Sequence, residues 1–221
     1  VAPDVERSAT GHAITIHHPL RAKEYSYFED NIRAWAVNGT PADCIKLGLE
    51  AILEIEPDVI ISGINDGPNL GTDVLYSGTV SAAMEGAIHN VKSIAISMNA
   101  FSSIHYQTAA VFVKDIIEFI NDKELDDIKL YNVNVPNLSV EEVKGIKASR
   151  LGIRRYENSF DKRQDPRGRN YYWMAGKVIE EEQTDDSDIT IVRDGFISVT
   201  PLQYDLTNNV MYQKLKMKTI K

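Results

Sequence analysis

Apolar residues along this chain gather in short dense runs separated by amphipathic stretches, a pattern that predicts strands alternating with helices. The run Asp58-Val59-Ile60-Ile61 predicts a buried strand over 58–62, residues 93–98 a second, and Leu130-Tyr131-Asn132-Val133-Asn134-Val135-Pro136 a third. Between the first two, the small-residue run Val80-Ser81-Ala82-Ala83-Met84-Glu85-Gly86-Ala87 predicts a helix over 78–89. Between the second and third, Ala109, Val113, Ile116, Ile117 and Ile120 recur at helical spacing within 105–121. Upstream, residues 13–17 alternate loosely and read as a strand, continued over 20–27 as extended or hairpin chain. A further strand over 33–37 ends at Asn38-Gly39, and Thr40-Pro41 then opens a helix to about Ile55. Thr40 serves as its N-cap and Pro41 stands at the first helical position.

Strands that alternate with helices predict an α/β fold: a Rossmann-like parallel sheet with helices on both faces. After residue 145 the pattern changes. Strand-like pieces at 145–151, 171–176 and 196–202 are separated by polar loops, residues 154–169 are strongly charged, and 180–188 form an acidic run read as a solvated loop. We therefore divide the chain into a core over 1–144 and a C-terminal β-rich extension over 145–221.

The totals narrow the chemistry. With 221 residues, 43% apolar and 25% charged, the composition is that of an ordinary globular protein. A formal net charge of -8 argues against a general nucleic-acid surface, which needs clustered Lys and Arg, but leaves room for a small phosphorylated substrate. The single cysteine, Cys44, forms no internal disulfide and suits a reducing, cytoplasmic setting. No apolar run is long enough to predict a membrane span.

The most informative stretch is Ser62-Gly63-Ile64-Asn65-Asp66-Gly67-Pro68-Asn69-Leu70-Gly71-Thr72-Asp73-Val74-Leu75-Tyr76-Ser77-Gly78-Thr79-Val80. It leaves a buried strand, crosses a loop rich in Gly, Asn and Asp, and enters a helix through Ser77-Gly78-Thr79. A helix start offers unpaired N–H groups and the positive end of the macrodipole to an anion. Asn and Asp oxygens nearby suit a hard divalent cation. In α/β sheets ligands bind at the carboxyl ends of strands, where the Asn65 loop would lie. Phosphate chemistry is the leading reading.

This stretch resembles the survival protein E (SurE) family of metal-dependent nucleotidases. Further segments agree in the same order: Val1-Ala2-Pro3-Asp4 with Arg7-Ser8, Asn38 to Cys44, Asn132-Val133-Asn134-Val135-Pro136, Asp165-Pro166-Arg167-Gly168, Tyr172-Trp173 and Ser198-Val199-Thr200-Pro201-Leu202. The resemblance implies a Mg²⁺ or Mn²⁺ site with Ser8 and Asn65 as neutral ligands. It also implies an Asp-Asp pair after the first strand, expected upstream of Val1. Hydrolysis of nucleoside 5′- and 3′-monophosphates follows, with Ser77, Gly78 and Thr79 cradling phosphate and Asn69 donating an amide hydrogen bond to it. Homodimers or homotetramers formed through the C-terminal segment are implied as well; Val210, Leu215 and Ile220 stand apolar among lysines there. Without the aspartate pair the alternative is a nucleotide-binding or assembly module with no turnover. A broader phosphatase acting on polyphosphate or sugar phosphates shares the same site.

Plainer roles compete with these. Asn65 suits a left-handed turn, Ser77 a simple N-cap and Ser8 an ordinary loop; Asp73 is expected to bond the loop backbone. His12, His17, His18, His89 and His105 show no zinc spacing, although His12 is close to Ser8 in sequence. No Gly-x-Ser-x-Gly elbow, Walker lysine or Gly-x-Gly-x-x-Gly fingerprint occurs. Tyr76 with Tyr106, or Tyr171 with Trp173, are the candidates for stacking on a nucleobase.

Overall fold

The computed structural model describes residues 1–26, 32–102, 105–125, 127–158, 160–179 and 181–218, and in them the alternation becomes two sheets with helices between and around them. In chain order, β1 (Ala2–Pro3), β2 (Ala22–Tyr25) and β3 (Ala34–Val37) precede α1 (Pro41–Leu47), which runs on through one wider turn, Gly48–Ile52. Next come β4 (Val59–Asn65), a 3₁₀ turn (Gly71–Leu75), α2 (Gly78–Ile88), β5 (Lys92–Met98), α3 (Tyr106–Ile120) and β6 (Leu130–Val135). The remainder holds β7 (Ile146–Ala148), β8 (Arg155–Glu157), β9 (Phe160–Gln164), β10 (Asn170–Met174), β11 (Lys177–Ile179), α4 (Asp188–Arg193), β12 (Ile197–Leu202) and α5 (Asn209–Lys216).

The main sheet has the order β4-β5-β6-β12-β7. Its first three strands are parallel, β12 runs antiparallel to β6, and β7 runs parallel to β12. Strands from the far end of the chain thus complete the core sheet. Alternation along β5 and β6 explains the two layers. Ile94, Ile96 and Met98 with Tyr131, Val133 and Val135 face α3, where Ala109, Ile116 and Ile120 complete a buried cluster. On the other face Ala95 and Leu130 meet Val80, Ala83 and Ala87 of α2. The Ala and Gly content of α2 lets it lie close on the sheet: a Cβ at Gly86 would meet Ile60 Cδ1 at 2.6 Å.

The first sheet, β1-β3-β2, corrects the expected strand over 13–17. There the backbone is bound by side chains of α1 instead of a neighbouring strand. The Ala13 carbonyl accepts from Thr40 Oγ1 (2.7 Å), and the Thr15 N–H donates to Asp43 Oδ1 (2.9 Å). The expected continuation reaches Tyr27, and residues 27–31 lie outside the described ones. Thr40 caps α1 in a capping box with Asp43, as its type and position predict.

Beyond β7 the strands pair as β8 with β11 and β9 with β10, two exposed antiparallel ribbons. The turn Asp165 to Arg169 is organised by one carboxylate, whose Oδ1 accepts from the N–H groups of Arg167 and Arg169 (both 2.9 Å). The acidic run is largely the exposed loop expected, with Glu182, Asp185 and Asp186 in solvent, but its C-terminal end is not. Glu180 lies outside the described residues, but Asp188 at the other end is fully buried and opens α4.

Candidate functional site

The site assembles at the carboxyl ends of β4 and β5, where the chain leaves the sheet for α2. Asn65 is the last residue of β4, in register with Ser97 of β5, rather than a loop residue. Its amide is held at both ends. Nδ2 donates to the Gly67 carbonyl (2.8 Å), and Oδ1 accepts from Thr79 Oγ1 (3.2 Å). This second bond ties the end of the strand to the first turn of α2. Ser77 caps that helix, with Oγ accepting from the Val80 N–H (3.1 Å) and its carbonyl from the Ser81 N–H (3.0 Å). Gly78 and Thr79 follow in the opening turn, where N–H groups precede the first intrahelical bonds.

Ser8 reaches the same place from β1. It is exposed in a turn that passes over the start of α2. A Cβ at Gly78 would stand 2.9 Å from Thr10 Oγ1, 2.9 Å from Pro41 Cγ and 3.4 Å from the Arg7 carbonyl oxygen. The absence of a side chain there is what lets the 7–10 turn and the start of α1 close on α2. Beyond it the Gly11 N–H donates to the Tyr76 carbonyl (3.0 Å), and Thr10 Oγ1 is buried with no hydrogen-bond partner. His12 turns away from the site. Its Nε2 lies 2.8 Å from Oε2 of the buried Glu85, two turns down α2, where Lys46 and His89 also approach that carboxylate at 3.6 and 3.4 Å.

Asn69 is buried and braces the loop between β4 and α2. Its N–H donates to Asn134 Oδ1 (2.9 Å) and its Nδ2 to Ser97 Oγ (2.6 Å). Its carbonyl accepts from Nδ2 of both Asn132 and Asn134 (2.8 and 3.0 Å). The alternating asparagines of β6 therefore read the loop backbone. Buried polar groups are stabilising where they are paired, as both amide nitrogens of β6 and the Asn69 backbone are here; Asn132 Oδ1 is the exception, buried with no partner among the described residues.

Asp73 differs from expectation. Its Oδ2 accepts from Arg154 Nη1 (2.9 Å) and the Tyr156 hydroxyl (2.7 Å), side chains of the distant C-terminal half, instead of the loop backbone. Burial and the neighbouring Asp73 push the Tyr156 phenol up to about 12. Beside it, Asp188 Oδ2 accepts from the Gly71 N–H (2.8 Å), while Oδ1 accepts from those of Gly152 (2.8 Å) and Ile189 (2.9 Å). Burial raises the Asp188 carboxyl against the pull of these donors. Gly71 adopts φ +55, and a Cβ there would stand 2.7 Å from the Gly152 carbonyl, so this junction needs glycine. Sequence reading missed Asp188 and Arg154; Asp188 carried a weak signal as the one acidic residue preceding Ile-Thr-Ile-Val.

Asn65 Oδ1 thus stands at a helix start that favours anions, and the turn that carries the Ser8 hydroxyl passes over the same start. Such neutral hard donors suit Mg²⁺ or Mn²⁺ when anionic ligands join them. Among the described residues, no three His, Cys, Asp or Glu side chains are grouped to hold a metal. Likewise, no helix among them is long and apolar enough to cross a membrane.

The family described as Survival protein SurE matches residues 1–158. The 5′-nucleotidase SurE of Heliobacterium modesticaldum is 53% identical over 215 residues, covering 97% of this chain and 79% of that protein. The protein of the same name from Pelotomaculum thermopropionicum is 52% identical over 224 residues, with 100% and 85% covered. Among solved structures, the SurE protein from Aquifex aeolicus is 40% identical and superposes with a TM-score of 0.81, over 97% of this chain and 85% of that one. The family match takes in every residue of the strand-end, turn and helix-start arrangement described above, and the chain belongs to the SurE family.

Proposed function

We propose that the protein is a metal-dependent 5′-nucleotidase that hydrolyses nucleoside 5′-monophosphates, and 3′-monophosphates as well, to nucleoside and phosphate. The observation that carries this reading is the hydrogen bond from Thr79 to Asn65, which joins a metal-type amide oxygen to an anion-binding helix start. Similarity to proteins named 5′-nucleotidase SurE supports it.

In this reading Ser8 Oγ and Asn65 Oδ1 would hold Mg²⁺ or Mn²⁺ as neutral ligands beside anionic ones. The bound ion supplies Lewis-acid stabilisation of the phosphoryl oxygens and a more acidic bound water. The chain's own residues do the positioning. The N–H groups of Gly78 and Thr79 and the hydroxyl of Ser77 receive the phosphate, while the Thr79 hydroxyl gives its proton to Asn65. Asn69 gives it the amide proton not used by Ser97. Because Thr79 Oγ1 bonds Asn65, phosphate and metal oxygens are kept in one fixed relation, which is the larger part of catalysis in phosphoryl transfer.

Assembly as a homodimer or homotetramer through the C-terminal segment belongs to the same proposal. Helix α5 buries no residue in the isolated chain and leaves Val210, Met211, Tyr212 and Leu215 exposed; Ile220 lies outside the described residues. The ribbon β9–β10 likewise exposes Phe160, Tyr172, Trp173 and Met174. A cytoplasmic location fits the lone buried thiol of Cys44.

The test is phosphate release from AMP by the full-length protein, with and without EDTA. Release that stops with EDTA and returns with added Mg²⁺ or Mn²⁺ supports the reading; release indifferent to EDTA overturns it.

A further inference from the structure

We propose that Phe101 is the platform on which the nucleobase stacks; this rests on the nucleotidase reading and extends it to how the substrate's other end is held. The phosphate end of the site gives no account of the base, and the loop after β5 supplies one. That loop leaves the sheet at the same edge as Asn65, since Ser97 of β5 lies in register with Asn65. Four residues on, the ring of Phe101 settles against Gly67: a Cβ on Gly67 would stand 2.6 Å from the ring's Cε1 and 3.0 Å from Cδ1. Gly67 takes φ +115, where only glycine sits without strain, and its carbonyl is the group that Asn65 Nδ2 holds. Asn65 and Gly67 are two residues apart, so their Cα atoms are separated by no more than about 7 Å. The ring therefore stands beside the proposed metal ligand, at a remove that a ribose can span.

Phe101 is 80% exposed, and its outer surface is open among the described residues. The loop that bears it is nonetheless pinned. The Ser102 N–H donates to Asp66 Oδ2 (3.2 Å), and the Tyr106 hydroxyl bonds the same carboxylate, which with partial burial raises the phenol. A large apolar ring held at the rim of a polar site, backed by glycine and open in front, is the arrangement that base stacking needs. The other aromatics fit less well. Tyr76 precedes the Ser77 cap directly and so belongs to the phosphate end, while Tyr171 and Trp173 lie on a ribbon whose strands pair only with each other.

Stacking is tolerant of base identity because every base offers a π-face, and it favours the larger purines. The test compares the full-length protein with Phe101→Ala and Phe101→Trp, using AMP and the baseless analogue ribose 5-phosphate. Loss of one base-stacking contact should raise KM for AMP about 5- to 150-fold. Turnover should stay within about twofold, ribose 5-phosphate kinetics should be unchanged, and Phe101→Trp should restore the KM for AMP. The proposal is overturned if Phe101→Ala leaves the AMP KM unchanged, or if it impairs both substrates equally. It is also overturned if Tyr76→Ala shows the base-selective loss instead. If the unsubstituted protein releases phosphate from neither compound, the nucleotidase reading itself has failed and the platform falls with it.

Discussion

Replacing Gly78 with alanine separates the fold of this protein from its chemistry. The added Cβ would lie 2.9 Å from both Thr10 Oγ1 and Pro41 Cγ. That is about half an ångström inside ordinary carbon contact, so something must move. Pro41 is the first residue of α1, fixed by the capping box of Thr40 and Asp43. The displacement therefore falls on the 7–10 turn and shifts Ser8 away from the start of α2. Overpacking of this kind costs about 1–3 kcal/mol, and alanine returns up to about 0.5–1 kcal/mol of backbone entropy in a helix. The net loss of roughly 0–2.5 kcal/mol lowers the melting temperature by at most about 10 °C in a chain of this size. The effect on rate is larger, because ångström-scale misplacement of a positioning group costs up to about 100-fold. We expect kcat/KM for AMP to fall roughly 10- to 100-fold in a protein that still folds, as read by circular dichroism and steady-state kinetics. Gly48→Ala is the control: its Cβ would meet the Val1 side chain at ordinary distances, 3.4 Å from Cγ2 and 3.9 Å from Cβ, and activity should hold. If Gly78→Ala keeps kcat/KM within twofold, the turn does not depend on this contact and the reasoning is refuted.

Asp188→Asn turns one carboxylate oxygen into a donor facing a backbone N–H, so at least one of Gly71, Gly152 and Ile189 loses its acceptor. Urea unfolding should report a loss of about 1–3 kcal/mol, and an unchanged midpoint would rule out this anchor. Burial raises the Cys44 thiol to about 11, so at pH 7 only on the order of one molecule in ten thousand carries the reactive thiolate. Cys44 should resist a thiol reagent in the folded protein and react fully in denaturant; rapid labelling of the native state would contradict its placement. For Asp43, burial pushes the carboxyl up, but hydrogen bonds from Thr15 and Thr40 outweigh it and hold it below 3.8. A depressed folded value means its stabilisation is complete above the unfolded pKa and fades as pH falls through the folded one. The stability gap between the parent and Asp43→Asn should thus be full at neutral pH and shrink below about pH 4; a gap independent of pH would exclude the effect.

Much of the architecture was legible because it is written in local periodicity. The runs that became β4, β5 and β6, the small residues of α2 and the apolar stripe of α3 report which faces are buried, and caps such as Thr40 and Ser77 mark where helices start. What periodicity does not report is partners. Residues 13–17 alternate like a strand, yet their backbone is satisfied by the side chains of Thr40 and Asp43, a choice made by residues some 28 positions away. The antiparallel pairing of β12 with β6 is equally non-local. In the site, residue types at a strand end and a helix start were enough to single out Asn65 and 77–79. The bond between Asn65 and Thr79, the contact of Phe101 with Gly67 and the burial of Asp188 exist only once the chain is folded.

The most direct measurement is the dependence of phosphate release on Mn²⁺ concentration for the full-length protein and for Asn65→Ala. If Asn65 Oδ1 is a metal ligand positioned by Thr79, half-maximal activation should need at least about 10- to 100-fold more metal in the variant, the range seen for partners one step further from an ion. Superimposable activation curves for the two proteins would contradict it.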